Sequence, residues 1–549
     1  MGREPRHPAL FYRRHPLGDD RHRAGVGVGS MLSVLLSWFT MTDFASQTVL
    51  IVGLAREGRV AAQWLATRGA RVIASDLRPP QEEVRDMLEA LDVEIVIGPQ
   101  TEALLRGVDA LVVSPGVPQD IPLLRSARAR GLPLTTEPRL FAQGCPAPIV
   151  GITGSSGKTT TTTLVARMLE ASGYRTWLGG NMGQPLLSSL DDIRPEHRVV
   201  MELSSFQLLY WHETAAWPAA PRPWNDGGGL SPHVAAILNL TPNHLDRHPS
   251  MAHYIAAKAN ILAFQSPTDW VILNREDAVT GAWAANGRVT IPADKGQTAL
   301  HFDIPGQTLT FGFRRPERGE GTWLEDGWVM LRWQGQTHRV LPQDAIRLRG
   351  RHNLANVLAA TAIAAAAGAT PSGMAEAVHS FWGVSHRLEE VARQDGVLWI
   401  NDSIATTPER ALAALRSFDE PIILLAGGRD KHLPWDAWAE EVHRRVRVVI
   451  AFGEARPIIQ QALRDRPPHS RLEHLLPVPD LPTAVVAAAR FARPGEIILL
   501  APGGTSFDAY ADFAARGQHF RELVAALKTD LSRRDAKTQK KAKIFSDFA

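Results

Sequence analysis

A short β-branched run, Ile149-Val150-Gly151-Ile152-Thr153, passes directly into Gly154-Ser155-Ser156-Gly157-Lys158-Thr159-Thr160 and then into a helical pattern reaching Glu170. A strand that turns through glycines into a helix directs several unpaired backbone N–H groups at one point, with the positive end of the helix behind them. Such a strand–loop–helix unit belongs to a parallel sheet covered by helices, so the feature predicts an α/β fold. Gly154, Ser155, Ser156, Gly157, Lys158, Thr159 and Thr160 are the expected cradle for the phosphates of ATP. Lys158 neutralises phosphate charge and the Thr159 hydroxyl is placed to ligate magnesium. Strict Walker spacing is not met, because the first glycine would fall at Ile152.

With 549 residues the chain exceeds one ordinary hydrophobic core, and its length suggests roughly three or four domains. Ahead of the cradle, β-branched runs at 48–52, 71–75, 94–97 and 110–113 alternate with helical patterns, as in a parallel α/β domain. The turn from Gly53 to Gly58 has the outline of a dinucleotide fingerprint, but Ala55 stands where the middle glycine belongs, which argues against NAD. Ser114, Pro115 and Gly116 follow the fourth strand, where open parallel sheets place ligands. Residues 145–148 read as a linker, 219–231 as a surface insertion and 297–340 as a small β region. A third α/β unit has strands expected at 397–400, 422–425, 446–451 and 496–500. The expected domains are therefore 46–144, 145–345 and 346–528, between a leader (1–45) that is disordered or an overlong start and a disordered basic tail (529–549).

Composition narrows the function. With 44% hydrophobic and 21% charged residues the chain matches a folded enzyme, and a net charge of +3 argues against a nucleic-acid partner. One cysteine, Cys145, permits no internal disulfide and no cysteine-built zinc site, and fits a reducing cytoplasm. Residues 26–39 faintly resemble a signal peptide, and no other segment approaches the roughly 18 to 20 apolar residues of a membrane span.

An ATP enzyme needs hard oxygen ligands near the transferred phosphate. Glu202, ending the strand in Met201-Glu202-Leu203, and His244, in Asn243-His244-Leu245, are the candidates. With the loop Thr153 to Thr159, they resemble the Mur ligase and folylpolyglutamate synthase superfamily. That resemblance implies three domains: a Rossmann-like N-terminal domain binding a UDP-substrate, a central P-loop ATPase domain and a Rossmann-like C-terminal domain. It implies two magnesium ions and a carbamylated Lys258, so Lys158, Glu202, His244 and Lys258 are the expected catalytic set, with Thr159, Glu202, His244 and Lys258 holding metal. Asn356, Arg387 and Asp402 would contact adenine, phosphate and ribose.

Within the superfamily, an α/β unit ahead of the cradle separates the chain from folylpolyglutamate synthases. The second metal and amine pocket separate it from a non-catalytic nucleotide switch. The first domain resembles the MurD-type branch, which implies UDP-substrate contacts at Arg56, Glu57, Asp76, Leu77, Arg78, Ser114, Pro115, Gly116 and Asn181. Ala501 to Asp508 resembles that branch's glutamate pocket, implying roles for Lys431, Ser506, Phe507 and Phe513. The resemblance thus implies a cytoplasmic, monomeric ligase joining glutamate to UDP-N-acetylmuramoyl-L-alanine through an acyl phosphate. One departure stands out: Ile404 replaces the usual lysine in Asn401-Asp402-Ser403-Ile404-Ala405-Thr406. D-glutamate is the expected substrate; a branch that attaches L-glutamate resembles this chain at that position, so the L-adding variant is the alternative, ahead of another Mur ligase.

Overall fold

The protein is described by a computed structural model covering residues 44–211, 230–245, 247–293, 299–348, 350–431 and 433–527. Nearly all of the expected leader, most of the 219–231 insertion and the basic tail lie outside these residues.

The first sheet has five parallel strands, β1 (Thr48–Val52), β2 (Arg71–Asp76), β3 (Glu94–Ile97), β4 (Ala110–Val113) and β5 (Leu134–Thr135), in the order β3-β2-β1-β4-β5. Val49, Leu50, Ile51 and Val52 are all fully buried, as expected of a parallel strand covered on both faces. Strand order reverses between β1 and β4, so the turn after β1 and the loop after β4 border the crevice where such sheets bind ligands.

The second sheet has nine strands in the order β16-β15-β14-β13-β10-β9-β6-β8-β7. They are β6 (Ile149–Thr153), β7 (Thr176–Gly180), β8 (Arg198–Glu202), β9 (Val234–Ile237), β10 (Trp270–Asn274), β13 (Gln307–Phe311), β14 (Glu320–Glu325), β15 (Trp328–Trp333) and β16 (Gln336–Pro342), with β11 (Arg288–Ile291) and β12 (Leu300–Asp303) forming a separate ribbon. Strands β7 to β14 run parallel, and β15 and β16 are antiparallel additions. The β region read at 297–340 thus mostly extends this sheet at one edge. Because β6 lies between β8 and β9, the phosphate loop, Glu202 and the segment after β9 emerge side by side.

The helices Arg351–Ala366 and Pro371–Ser380 pack with this second sheet. Thr322 Oγ1 donates to the Leu358 carbonyl at 2.8 Å, and Thr370 N to Ser172 Oγ at 3.0 Å. The chain divides into two compact units after Ser380, so a third domain beginning at 346 would include two helices that the first unit holds. Every residue from Val357 to Ala365 is at most 2% exposed, and a helix buried on all sides has no polar stripe to mark which core it joins.

In the second unit β17 (Glu389–Gln394) pairs antiparallel with β18 (Val397–Asn401), and the order continues β22 (Ile497–Gly503), β19 (Ile422–Gly427), β20 (Val446–Phe452), β21 (His474–Pro477), all parallel. The ends of β18, β22 and β19 are adjacent. They deliver the loops bearing Asp402, Ser506 and Lys431 to one edge.

Candidate active site

Gly157 caps the helix Lys158–Ala171 in a left-handed conformation, φ 78°, that favours glycine. A Cβ there would also stand 2.3 Å from Asn356 Oδ1, which places Asn356 directly at the cradle. The segment after β9 buttresses the loop. Ser155 N donates to the Asn239 carbonyl at 2.9 Å, Ser156 N to Asn239 Oδ1 at 2.8 Å, and Ser155 Oγ to the Thr241 carbonyl at 2.8 Å. Lys158 Nζ folds back on the Gly154 carbonyl at 2.9 Å, while Thr160 is buried on the inner side of the helix.

Glu202 is 3% exposed, and its carboxylate oxygens are divided between two donors. Thr159 Oγ1 donates to Oε2 at 2.7 Å and Asn181 Nδ2 to Oε1 at 3.0 Å. Asn181, expected at the UDP-substrate, is thereby placed at the carboxylate itself. A hydroxyl and a carboxylate oxygen facing each other at the start of a phosphate-binding helix are hard donors of the kind magnesium takes, so the residues present fit that ion.

Lys258 lies on the helix Met251–Ala259 and is 2% exposed. Its Nζ donates to Thr153 Oγ1 at 3.1 Å, at the end of the strand that leads into the cradle. Burial, reinforced by Lys158, pulls the Lys258 ammonium well below the ordinary lysine range, with Glu202 opposing. His244 adopts φ 55°, an uncommon conformation for a side-chain-bearing residue, and its ring stands edge-on to Phe206 at 5.3 Å.

Two contributors escaped sequence reasoning. Tyr254 OH donates to Ser155 Oγ at 3.0 Å, and Asn239 supplies two of the carbonyl oxygens that hold the loop, one from its backbone and one from its side chain. Asn239 was legible in principle, being a polar residue just past a buried strand beside the glycine loop. For Tyr254, one turn ahead of Lys258 on the same helix face, the i, i+4 spacing was the available signal.

At the first sheet, Asp76 and Ser114 brace the Gly53 to Gly58 turn. Asp76 Oδ2 accepts from Leu54 N at 2.7 Å, Asp76 Oδ1 from Arg78 N at 3.0 Å, and Ser114 Oγ donates to the Gly53 carbonyl at 2.7 Å. Gly58 is required here, since a Cβ would collide with the Gly53 carbonyl at 1.8 Å. Leu77 is 66% exposed beside Asp76, and open space surrounds Gly116 in the loop after Pro115. Arg56 and Glu57 instead send their side chains toward the second sheet, to the Gly183 carbonyl and to Gln207.

In the second unit, Arg387 sits between His386 (φ 64°) and Leu388 (φ 43°), a strained turn held by Leu388 N donating to Asp402 Oδ1 at 3.0 Å. Burial pushes the Asp402 carboxyl up to about 6, against the Leu388 hydrogen bond and the Arg387 charge. Arg516 joins the Asp402 loop to the Ser506 loop, donating to Ser403 Oγ, the Ser403 carbonyl and the Gly504 carbonyl at 3.0, 2.9 and 3.2 Å. Ser403 Oγ in turn donates to the carbonyl of Phe513. Lys431 and Phe507 are exposed, Phe513 is 36% exposed, and Ser506 is nearly buried. Ile404 is half-buried, its N–H donating to the His386 carbonyl at 3.1 Å.

Known families match most of the chain. A Mur ligase middle domain matches residues 152–364, a Mur ligase glutamate ligase domain residues 386–504, and a Mur ligase MurD-like N-terminal domain residues 47–136. A UDP-N-acetylmuramoylalanine–D-glutamate ligase of Pelotomaculum thermopropionicum is 37% identical over 491 residues, covering 89% of this chain and 99% of that protein. Proteins of the same name from Symbiobacterium thermophilum and Roseiflexus sp. are each 38% identical, covering 87% and 88% of this chain and 97% and 99% of their own lengths. Among the described residues no helix is long and apolar enough to cross a membrane.

Proposed function

The chain belongs to the Mur ligase family, and on that premise we propose that it is an ATP-dependent, magnesium-using ligase that joins glutamate to UDP-N-acetylmuramoyl-L-alanine in cell-wall precursor synthesis. The observation that carries this reading is the triangle of Thr159, Glu202 and Asn181 at the mouth of the phosphate loop, with buried Lys258 behind it. The names and extent of the matching relatives supply the substrate.

The substrate carboxylate attacks the γ-phosphorus of ATP, forming a carboxyl–phosphate bond and releasing ADP. The glutamate amine then attacks the acyl carbon, phosphate departs, and the amine loses a proton. Lys158 and the backbone N–H groups of Gly154 to Thr160 hold the transferring phosphate by charge and hydrogen bonding. Thr159, Glu202, His244 and Lys258 would hold two magnesium ions, which when bound offset the developing phosphate charge. A lysine that buried and that biased toward its neutral form suits reaction with carbon dioxide, giving a carbamate with anionic oxygens in place of a metal-repelling cation. Asn356 would meet adenine, Arg387 phosphate, and Asp402 ribose. Leu77, Asp76, Arg78 and Ser114 to Gly116 would receive the uridine diphosphate, and Lys431, Ser506, Phe507 and Phe513 the glutamate. We place the enzyme in the cytoplasm as a monomer.

The test is to incubate the purified chain with magnesium, ATP and UDP-N-acetylmuramoyl-L-alanine, with D- or L-glutamate in separate reactions, following product mass and phosphate. The D-glutamate arm is expected to give product. Activity only with L-glutamate would move the assignment to the L-adding variant, to which Ile404 points, and no product in either arm would sink the reading.

A further inference from the structure

Arg56 and Glu57 begin the helix Arg56–Ala66, directly after the turn expected to hold the UDP-substrate. Their side chains take separate routes, one leading to Glu202 itself and the other to Ser204, two residues beyond it. Arg56 Nη1 donates to the Gly183 carbonyl at 2.6 Å, in the turn after β7. That turn carries Asn181, whose backbone N–H donates to the Glu202 carbonyl at 2.8 Å and whose side chain donates to Glu202 Oε1.

By the other route, Glu57 Oε1 accepts from Gln207 Nε2 at 2.8 Å. Gln207 closes a capping box two residues beyond Glu202: Ser204 N donates to Gln207 Oε1 at 2.9 Å, and Gln207 N to Ser204 Oγ at 3.2 Å. Gln207 is fully buried and Glu57 is 7% exposed, with its second carboxylate oxygen buried and unpartnered. Burial pushes the Glu57 carboxyl up to about 7, and Glu137, likewise buried and pushed up to about 8, lies close enough to be raised further by it. A polar group kept there at such cost adds less stability than an apolar side chain of the same size. What it supplies is geometry.

We propose that Glu57 is a positioning residue: through Gln207, and beside Arg56 acting through Gly183 and Asn181, it yokes the UDP-substrate turn to both flanks of Glu202. Filling the turn would then fix the Glu202 carboxylate in the orientation that phosphoryl transfer needs. This rests on the ligase reading above, and wild-type turnover is its separate control: if the wild type makes no product, it is the ligase reading that fails.

The turn keeps its own braces, Asp76 and Ser114, when Glu57 is changed. Glu57→Ala is therefore expected to leave the dissociation constant for UDP-N-acetylmuramoyl-L-alanine within about twofold, while kcat per active site falls by about tenfold or more, the scale of losing a buried hydrogen bond to a charged partner. Gln207→Glu keeps the capping box, since glutamate serves at that position, but sets two carboxyl groups face to face. It should lose kcat likewise. The exchanged pair Glu57→Gln with Gln207→Glu restores one donor opposite one acceptor and should recover kcat to within about threefold of wild type. A residue that merely held the fold would lower the melting temperature and the active fraction without changing kcat per site. The proposal is overturned if Glu57→Ala keeps wild-type kcat, or if the exchanged pair is no better than Gln207→Glu alone, a comparison that still decides should Glu57→Ala fail to fold.

Discussion

Replacing Arg516 tests whether a buried cation holds the Asp402 and Ser506 loops of the second unit together. Arg516 is fully buried, and its fork donates to three oxygens on two loops, at Ser403 and Gly504. Burial lowers its guanidinium from 12.5 to about 10, which at about 1.4 kcal/mol per pH unit is a cost of about 3 kcal/mol for keeping the charge inside. Hydrogen bonds from a charged donor contribute about 1.5–3 kcal/mol each, so the fork returns about 5–9 kcal/mol and the net is about 2–6 kcal/mol in favour of arginine. Arg516→Met removes both the charge and the fork, leaving two carbonyls without that donor. A loss of about 2–4 kcal/mol of local stability is expected, after allowing for the apolar filling. Arg516→Lys should be no milder, because it keeps a buried charge while offering a compact ammonium in place of a planar fork. Hydrogen exchange of residues 501–507 in the intact protein would report the loosening, and the KM for glutamate should rise in both variants. Wild-type exchange and KM in Arg516→Lys would refute the reasoning, since charge alone would then suffice.

Lys158→Ala should abolish turnover while leaving the melting temperature within a few degrees, because Lys158 points back over its own loop; measurable product formation would remove it from the phosphate site. Ile404→Lys should change the KM for glutamate, with ATP kinetics unaffected, if that half-buried position faces the amino acid. Asp402, raised from 3.8 to about 6, favours folding most in its protonated form. Its contribution of about 3 kcal/mol is present below pH 4 and lost as pH rises through about 6. Nucleotide binding that needs the carboxylate should run the opposite way, weakening below about pH 6, and in Asp402→Asn the stability trend between pH 4 and 7 should flatten in urea titrations.

The parallel α/β character of all three sheets was readable because buried parallel strands are continuous apolar runs, such as Val49 to Val52 and Ile422 to Leu425. The phosphate cradle was readable because its constraint is local: Gly157 must adopt a conformation that nearby sequence displays as glycine. Glu202 and Lys258 were less so. A glutamate at a strand end and a lysine in a helix look ordinary, and only packing reveals that both are about 97% buried or more around one threonine-lined strand end. The placement of Asn356 shows the limit. Its helix is apolar on every face, so periodicity could not tell which sheet it covers, and it joins the first unit at Gly157. Glu57 was legible as a residue of the Gly53 to Gly58 turn, yet its inward side chain depends on Gln207, 150 positions away.

Lys258, Glu57, Asp402 and Arg516 share three features: each is at least nine-tenths buried, each is shifted by burial against its charged form, and each bonds to an atom in a loop, a strand end or the short helix that follows β8. Apolar residues at Lys258, Glu57 and Asp402, each tied by one such bond, would make a more stable protein, since desolvating a charge costs more than a single hydrogen bond returns, whereas the three bonds of Arg516 outweigh its burial. They would also leave the loops free to move, because dispersion has no direction, whereas an amide or guanidinium holds its acceptor to a few tenths of an ångström. A reactive acyl phosphate tolerates neither a misplaced amine nor an intruding water, so this enzyme's reaction rewards loop precision over stability. On that argument Lys258, Glu57 and Asp402 are sites where stability and function part: variants selected only for higher melting temperature would be expected to gain apolar residues there and to lose turnover as they do.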